Sequence, residues 1–188
     1  MKAKQLLCAL GLLLCACGGG GGNSSAVAET APSIQSAVFT VSSAAGTDGS
    51  ALPAEYSCDG AGSTPALTWA GAPFGTKEFA VMMTTIPVDG STRWNWVLYG
   101  IPATAAGLAK NSTGVGTVGT GSHGTVMKYD PPCPQGPGAK LYTITVYALS
   151  ASPSLPASAE QVTGEVLTSA ISFVTIGAAA LNLSYARP

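Results

Sequence analysis

Beyond residue 35 this chain is cut into short apolar runs by glycine and proline, which number 24 and 13 among its 188 residues. Such dense punctuation disfavours long helices and favours strands joined by turns. Residues 37–42 alternate in part, with Phe39 and Val41 on one face. Residues 79–85 are almost continuously apolar, the pattern of a strand covered on both faces. Residues 96–101 and 141–149 are two further strand candidates, and turns are signalled at Asp48-Gly49, Asp59-Gly60, Asp89-Gly90, Pro102 and across 131–138. One helix is expected, capped by Ser158 with Gln161 completing a capping box, carrying Val162, Val166 and Ile171, and ending near Ser172. Residues 107–124 are polar, glycine-rich and aperiodic, and read as a long mobile loop of the functional or disordered kind. The sum is a mostly β chain with one or two late helices and no internal repeat.

The first residues carry an address. Lys2 and Lys4 precede an apolar run over 6–14. That run is far shorter than the ~20 residues that span a bilayer as a helix, so it reads as a cleavable export signal. Leu14-Cys15-Ala16-Cys17 resembles the lipobox of bacterial lipoprotein signals, and glycines 18–22 follow directly. The resemblance implies a signal over 1–16 and acylation of Cys17, which becomes the new N-terminus; two acyl chains or more anchor stably where one does not. An ordinary secretory signal with a chance cysteine is the alternative. Residues 17–35 are Gly, Ser and Ala with the single charge of Glu29, a flexible tether, which leaves 36–188 as the folded domain. Gly18 lacks the aspartate that commonly retains lipoproteins at the inner membrane. The expected place is therefore the bacterial envelope, on an outer membrane and facing the periplasm.

Removing the signal changes what the composition says. Cys8 and Cys15 leave with it and Cys17 takes lipid, so Cys58 and Cys133 remain of five cysteines. In an oxidising compartment a disulfide is their default state, with two free buried thiols as the alternative. Loss of Lys2 and Lys4 leaves six basic against nine acidic residues, a net charge of −3. There is no basic patch, and nucleic acid is excluded as a partner. About 150 residues suit one domain with a proper core.

Three segments resemble a known family. They are Tyr56-Ser57-Cys58-Asp59-Gly60 with Thr64-Pro65-Ala66-Leu67-Thr68-Trp69; Trp96-Val97-Leu98-Tyr99-Gly100-Ile101-Pro102-Ala103; and Tyr129-Asp130-Pro131-Pro132-Cys133-Pro134 followed by 142–149. In this order and spacing they resemble the bacterial, Raf kinase inhibitor-like branch of the phosphatidylethanolamine-binding proteins, over residues 39–187. The resemblance implies an antiparallel β-sandwich with one or two peripheral C-terminal helices and a small anion pocket at one end. It also brings the segments of Cys58 and Cys133 together beside that pocket.

In the family the pocket uses an aspartate and two histidines, and this chain departs at all three positions. They fall on Thr85, Asn95 and Lys140. A carboxylate orients paired imidazoles, and left without them it becomes an uncompensated charge, so joint loss is coherent. Thr85 and Asn95 can each donate a hydrogen bond, and Lys140 supplies a point charge. The ligand site expected from this reading is a degenerate pocket bounded by Thr85, Asn95, Tyr129, Lys140 and Tyr142. Lys140 pointing to solvent from a loop, and Tyr142 as ordinary sheet packing, are the plainer readings.

Catalytic parts are missing from the sequence. His123 is the sole histidine, in the 107–124 loop, and although Asp130 is near in sequence nothing fixes a nucleophile beside it. There is no Gly-x-Ser-x-Gly elbow, no His-Glu-x-x-His, and too few ligands for a zinc site. No cofactor is expected. The reading is a non-catalytic, lipid-anchored binding protein for a small anion or phosphate-bearing ligand, in contact with the membrane through Cys17. The alternative is an interaction or inhibitor module with a vestigial pocket and an unidentified protein target, since some family members inhibit kinases or proteases.

Overall fold

The computed structural model describes residues 37–124 and 127–188. The expected signal over 1–16, the lipidation of Cys17 and the tether over 17–35 lie outside the described residues. In chain order the strands are β1 (Thr40–Ser42), β2 (Leu67–Ala70), β3 (Glu78–Thr85), β4 (Arg93–Pro102), β5 (Gly107–Leu108), β6 (Thr117–Val118), β7 (Lys140–Leu149) and β8 (Thr175–Tyr185). The helix α1 (Gly164–Ile171) stands between β7 and β8. Two antiparallel sheets form, a three-stranded one ordered β1-β2-β5 and a five-stranded one ordered β6-β4-β3-β7-β8.

Period-two patterning assigns the two faces of the larger sheet to two cores. Phe79, Val81 and Met83 of β3 point toward the smaller sheet, with Trp96, Ile144 and Leu183 from neighbouring strands, and meet Leu67 and Trp69. Ala80 and Met82 point the other way, onto Val97, Leu149 and the α1 residues Leu167 and Ile171. That second layer is why β3 reads as a continuous apolar run. Its buried aliphatic side chains each contribute about 1.5–3 kcal/mol relative to exposure.

The helix begins later than the sequence suggests. Ser158 opens only a 3-10 turn at Ala159–Gln161 and makes no side-chain cap, whereas the Thr163 hydroxyl accepts from Val166 N–H at 3.2 Å and starts α1. The capping-box spacing at Ser158 is thus spent on a single turn. Packing sets the true start: an added Cβ on Gly164 would fall 2.0 Å from Trp94 Cγ, so the helix is pressed onto that indole.

The 107–124 segment is not a free loop. It contributes β5 and β6, and Gly119 N–H donates to Val97 O at 2.8 Å, Thr120 N–H to Val162 O at 2.9 Å and Ser122 N–H to Trp94 O at 2.9 Å. The segment is stitched along the edge of β4 by backbone bonds that a composition reading cannot see.

Two irregularities in β4 shape one end of the sandwich. Phe79 pairs with Ile101 but Val81 with Leu98, so β4 carries an extra residue near Gly100, whose φ of 66° suits glycine. Met83 pairs with Trp96 but Thr84 with Trp94, which leaves Asn95 as the extra residue of a second bulge. Without it Trp94 and Trp96 would share a face. With it Trp96 enters the inter-sheet core and Trp94 packs beneath α1.

Candidate functional site

The strand ends nearest the Asn95 bulge surround a cavity of about 610 Å³. Thr85 ends β3, Arg93 and Asn95 begin β4, and Lys140 and Tyr142 begin β7; all five line it. Register accounts for the grouping, because Thr85 is paired with Arg93 on one side and with Tyr142 on the other. The remaining wall is the loop from Asp130 through Pro131 to Gln135, with His123 at the mouth. Cys58 and Cys133 are joined in a disulfide, and Cys58 N–H donates to Pro132 O at 3.1 Å. Cys133 itself lines the cavity, so the bond fixes that wall.

Hydrogen bonding gives each polar residue a definite part. Thr85 Oγ1 donates to Leu141 O at 2.7 Å, and Asn95 Nδ2 donates to Asp130 O at 3.0 Å. The Asp130 N–H returns a bond to Asn95 O at 2.7 Å, so the bulge holds the loop by two bonds. Asn95 is 2% exposed, and its Oδ1 is buried with no hydrogen-bond partner. The two residues expected to serve a ligand as donors are therefore committed to the protein itself.

Charge comes from elsewhere around the cavity. Lys140 forms no ion pair among the described residues, while Arg93 lies 3.3 Å from the Asp89 carboxylate. His123 Nδ1 contacts the Asp130 carboxylate, which selects the tautomer with hydrogen on Nδ1 and leaves Nε2 free. Asp89 also accepts from the Ser91 hydroxyl and N–H, which hold its carboxyl below the usual range, and Arg93 adds to this. Burial pushes the Tyr142 phenol up to about 12, with Asp130 and Tyr185 adding to the shift. Tyr142 thus presents a neutral ring and hydroxyl to the cavity at any ordinary pH.

A family model described as phosphatidylethanolamine-binding protein matches residues 42–186. The chain belongs to the phosphatidylethanolamine-binding protein family. A relative in Mycobacterium tuberculosis that carries the name of a lipoprotein, LppC, is 32% identical over 159 residues, covering 84% of this chain and 77% of that protein. YbcL of Escherichia coli is 43% identical over 54 residues, 28% of this chain and 30% of that protein. The solved structure of YbcL superposes with a TM-score of 0.72 at 25% identity, over 81% of this chain and all of that one. The CT736 homologue from Chlamydia trachomatis gives 0.72 at 26%, over 80% and 99%.

Within this family member, four of the five residues expected at the pocket are brought together: Thr85, Asn95, Lys140 and Tyr142. Tyr129 is not. It lines an adjoining cleft of about 300 Å³, its hydroxyl donates to Tyr56 O at 3.0 Å, and its ring meets Trp96 edge-on at 5.7 Å. Burial raises its phenol well above the ordinary value. Two residues escaped the sequence reading. Arg93 was hidden because a bulge decides its face, and His123 because its partner Asp130 sits across a loop. Among the described residues no group of three or more His, Cys, Asp or Glu side chains is placed to hold a metal.

Proposed function

We propose that this chain is a lipid-anchored protein of the bacterial envelope that binds a small anion at the β3–β4–β7 end and does so without catalysis. The observation that carries the reading is Lys140: a cation without an internal counter-charge among the described residues, lining a roomy cavity beside Arg93 and the free edge of His123. Desolvating an ammonium at a cavity wall favours a negative ligand as its partner. Thr85 and Asn95 serve the site by tying β7 and the Asp130 loop into place. Tyr142 offers a neutral hydroxyl and an apolar wall of the kind that lines ligand clefts.

The lipoprotein reading of Cys17 is supported by the name of the mycobacterial relative. The periplasmic face of an outer membrane remains part of the proposal. Absence of a nucleophile in hydrogen-bond reach of His123 supports binding over hydrolysis; its contact among the described residues is the Asp130 carboxylate.

The test is thermal unfolding with phosphate, phosphoethanolamine, acetate or chloride added. A ligand at one hundred times its Kd stabilises by about 2.7 kcal/mol. Phosphate-bearing ligands should raise the midpoint, and Lys140→Ala should abolish the rise while leaving the unliganded midpoint near its original value. Indifference to every anion would sink the pocket and leave a surface-acting module.

A further inference from the structure

Eight large apolar side chains stand exposed among the described residues, and they divide between the two poles of the sandwich. Ile86, Val88 and Met127 lie around the mouth of the cavity, among Asp89, Arg93, Lys128 and Lys140, and Leu141 is on β7 nearby. The opposite pole carries Val38, Phe74, Phe173 and Ile176, and there the two phenylalanines are 105% and 95% exposed. Backbone contacts hold these four in one region. An added Cβ on Gly177 would fall 2.6 Å from Pro73 Cγ, one on Gly71 would fall 2.3 Å from Val38 O, and Lys77 N–H donates to Leu149 O, the register partner of Thr175. Charge is sparse at this end: Lys77, and Glu78, which accepts from Ser152.

The same pole is where the chain enters the domain, at residues 37–40 ahead of β1. A Gly/Ser-rich segment the length of residues 17–36 has a root-mean-square span of about 25 Å. A bilayer holding acylated Cys17 is therefore within reach of the entry pole. To face the cavity, the linker would have to run back along the whole length of β3.

We infer that Val38, Phe74, Phe173 and Ile176 form a membrane-facing foot that rests in the interface of the bilayer anchoring Cys17. Exposed aromatic and aliphatic side chains in a weakly charged setting partition into that interface, and a second attachment turns a loose leash into a fixed orientation. The consequence is functional. β3 has eight residues at about 3.3 Å each, so the cavity stands about 25 Å above the foot, facing water. Its ligand is then drawn from solution, and a phospholipid headgroup in the same bilayer cannot reach it.

This inference rests on the anchored reading, and one experiment separates the two. The full-length lipidated protein is reconstituted at low surface density in vesicles of phosphatidylethanolamine and phosphatidylglycerol and footprinted with hydroxyl radicals. Mass spectrometry then reads side-chain oxidation and the state of Cys17. With Cys17 acylated, Phe74 and Phe173 should be oxidised at least fivefold less than expected from their exposure relative to Ile86 and Val88. A Phe74→Ser/Phe173→Ser variant should lose the protection of Val38 and Ile176. Unprotected phenylalanines beside an acylated Cys17, or protection at Ile86 and Val88 in their place, overturn the foot alone. Protection that vanishes when the protein-to-lipid ratio falls a hundredfold assigns the surface to a second copy and also overturns it. An unmodified Cys17 overturns the anchored reading and the foot with it.

Discussion

Breaking the Cys58–Cys133 bond should weaken the domain and loosen the cavity wall in one step. The two cysteines are 75 residues apart. In the chain-entropy treatment a loop of that size contributes about 4.5 kcal/mol by restricting the unfolded chain. A domain of about 150 residues unfolds with an entropy near 0.3 kcal/mol/K at its midpoint, so the loss corresponds to about 15 °C in Tm. The Cys58→Ser/Cys133→Ser double variant should show this fall in calorimetry, and the wild type with reductant should match it. The Cys58 N–H to Pro132 O bond survives the substitution, so the fold should persist at low temperature. Stabilisation by phosphate should shrink as well, because Cys133 and Gln135 belong to the wall. A Tm drop under about 3 °C would mean that the unfolded chain is already confined, and would refute the entropic argument.

Three further outcomes follow from particular contacts. Asn95→Leu removes one hydrogen bond to Asp130 O, worth about 1 kcal/mol, but also removes a buried acceptor with no partner, which costs a similar amount or more. Its urea midpoint should therefore move by the equivalent of less than about 1 kcal/mol, and a loss above about 3 kcal/mol would show that Oδ1 is satisfied in solution. Gly164→Ala should destabilise by about 1–3 kcal/mol despite alanine's better helix propensity, since its Cβ would enter the Trp94 ring; a stabilised variant in thermal unfolding would contradict the packing. The Arg187 and Tyr185 bonds to Asp59 hold its carboxyl below the usual range. The folded value is the lower one, so this stabilisation is present above about pH 4 and lost as pH falls through the depressed value. Stability profiles of wild type and Arg187→Gln should converge in acid, and parallel profiles would refute the linkage.

Much of the sandwich was legible because its central strands obey simple patterns. The continuous apolar run of β3 announces a strand covered twice, and α1 over Met82 and Val97 is the second cover. β8 was missed for the opposite reason. Gly177 and the alanines at 178–180 lack the β-branched signature, and packing against β7 along its length supplies what propensity does not. The helix start was misplaced because a capping box at Ser158 is a local signal, whereas the position of Trp94 beneath Gly164 is a tertiary one. At the site, Thr85, Asn95, Lys140 and Tyr142 were found through their place in family motifs. Their roles were not legible, because a hydrogen bond such as Thr85 to Leu141 O depends on register across two strands.

The redistribution of charge implies how firmly this pocket can hold a ligand. Uncharged side chains at Thr85 and Asn95 close their donors within the protein, so the base of the cavity needs no counter-ion to be stable. The charges have moved outward, to Arg93 at 40% side-chain exposure and His123 at 58%. Charges that water still reaches interact weakly and are screened by salt over about 10 Å at 0.1 M. Each also has a carboxylate beside it, Asp89 and Asp130, which a ligand must compete with. Lys140 is the exception, half-buried and without an ion-pair partner among the described residues. Affinity should then rest on Lys140 and fall steeply with ionic strength, as expected of a protein that samples a soluble anion rather than storing one. Phosphate binding that is insensitive to salt would require a buried charge pair, and nothing in the arrangement of Thr85, Asn95 and Tyr142 provides it.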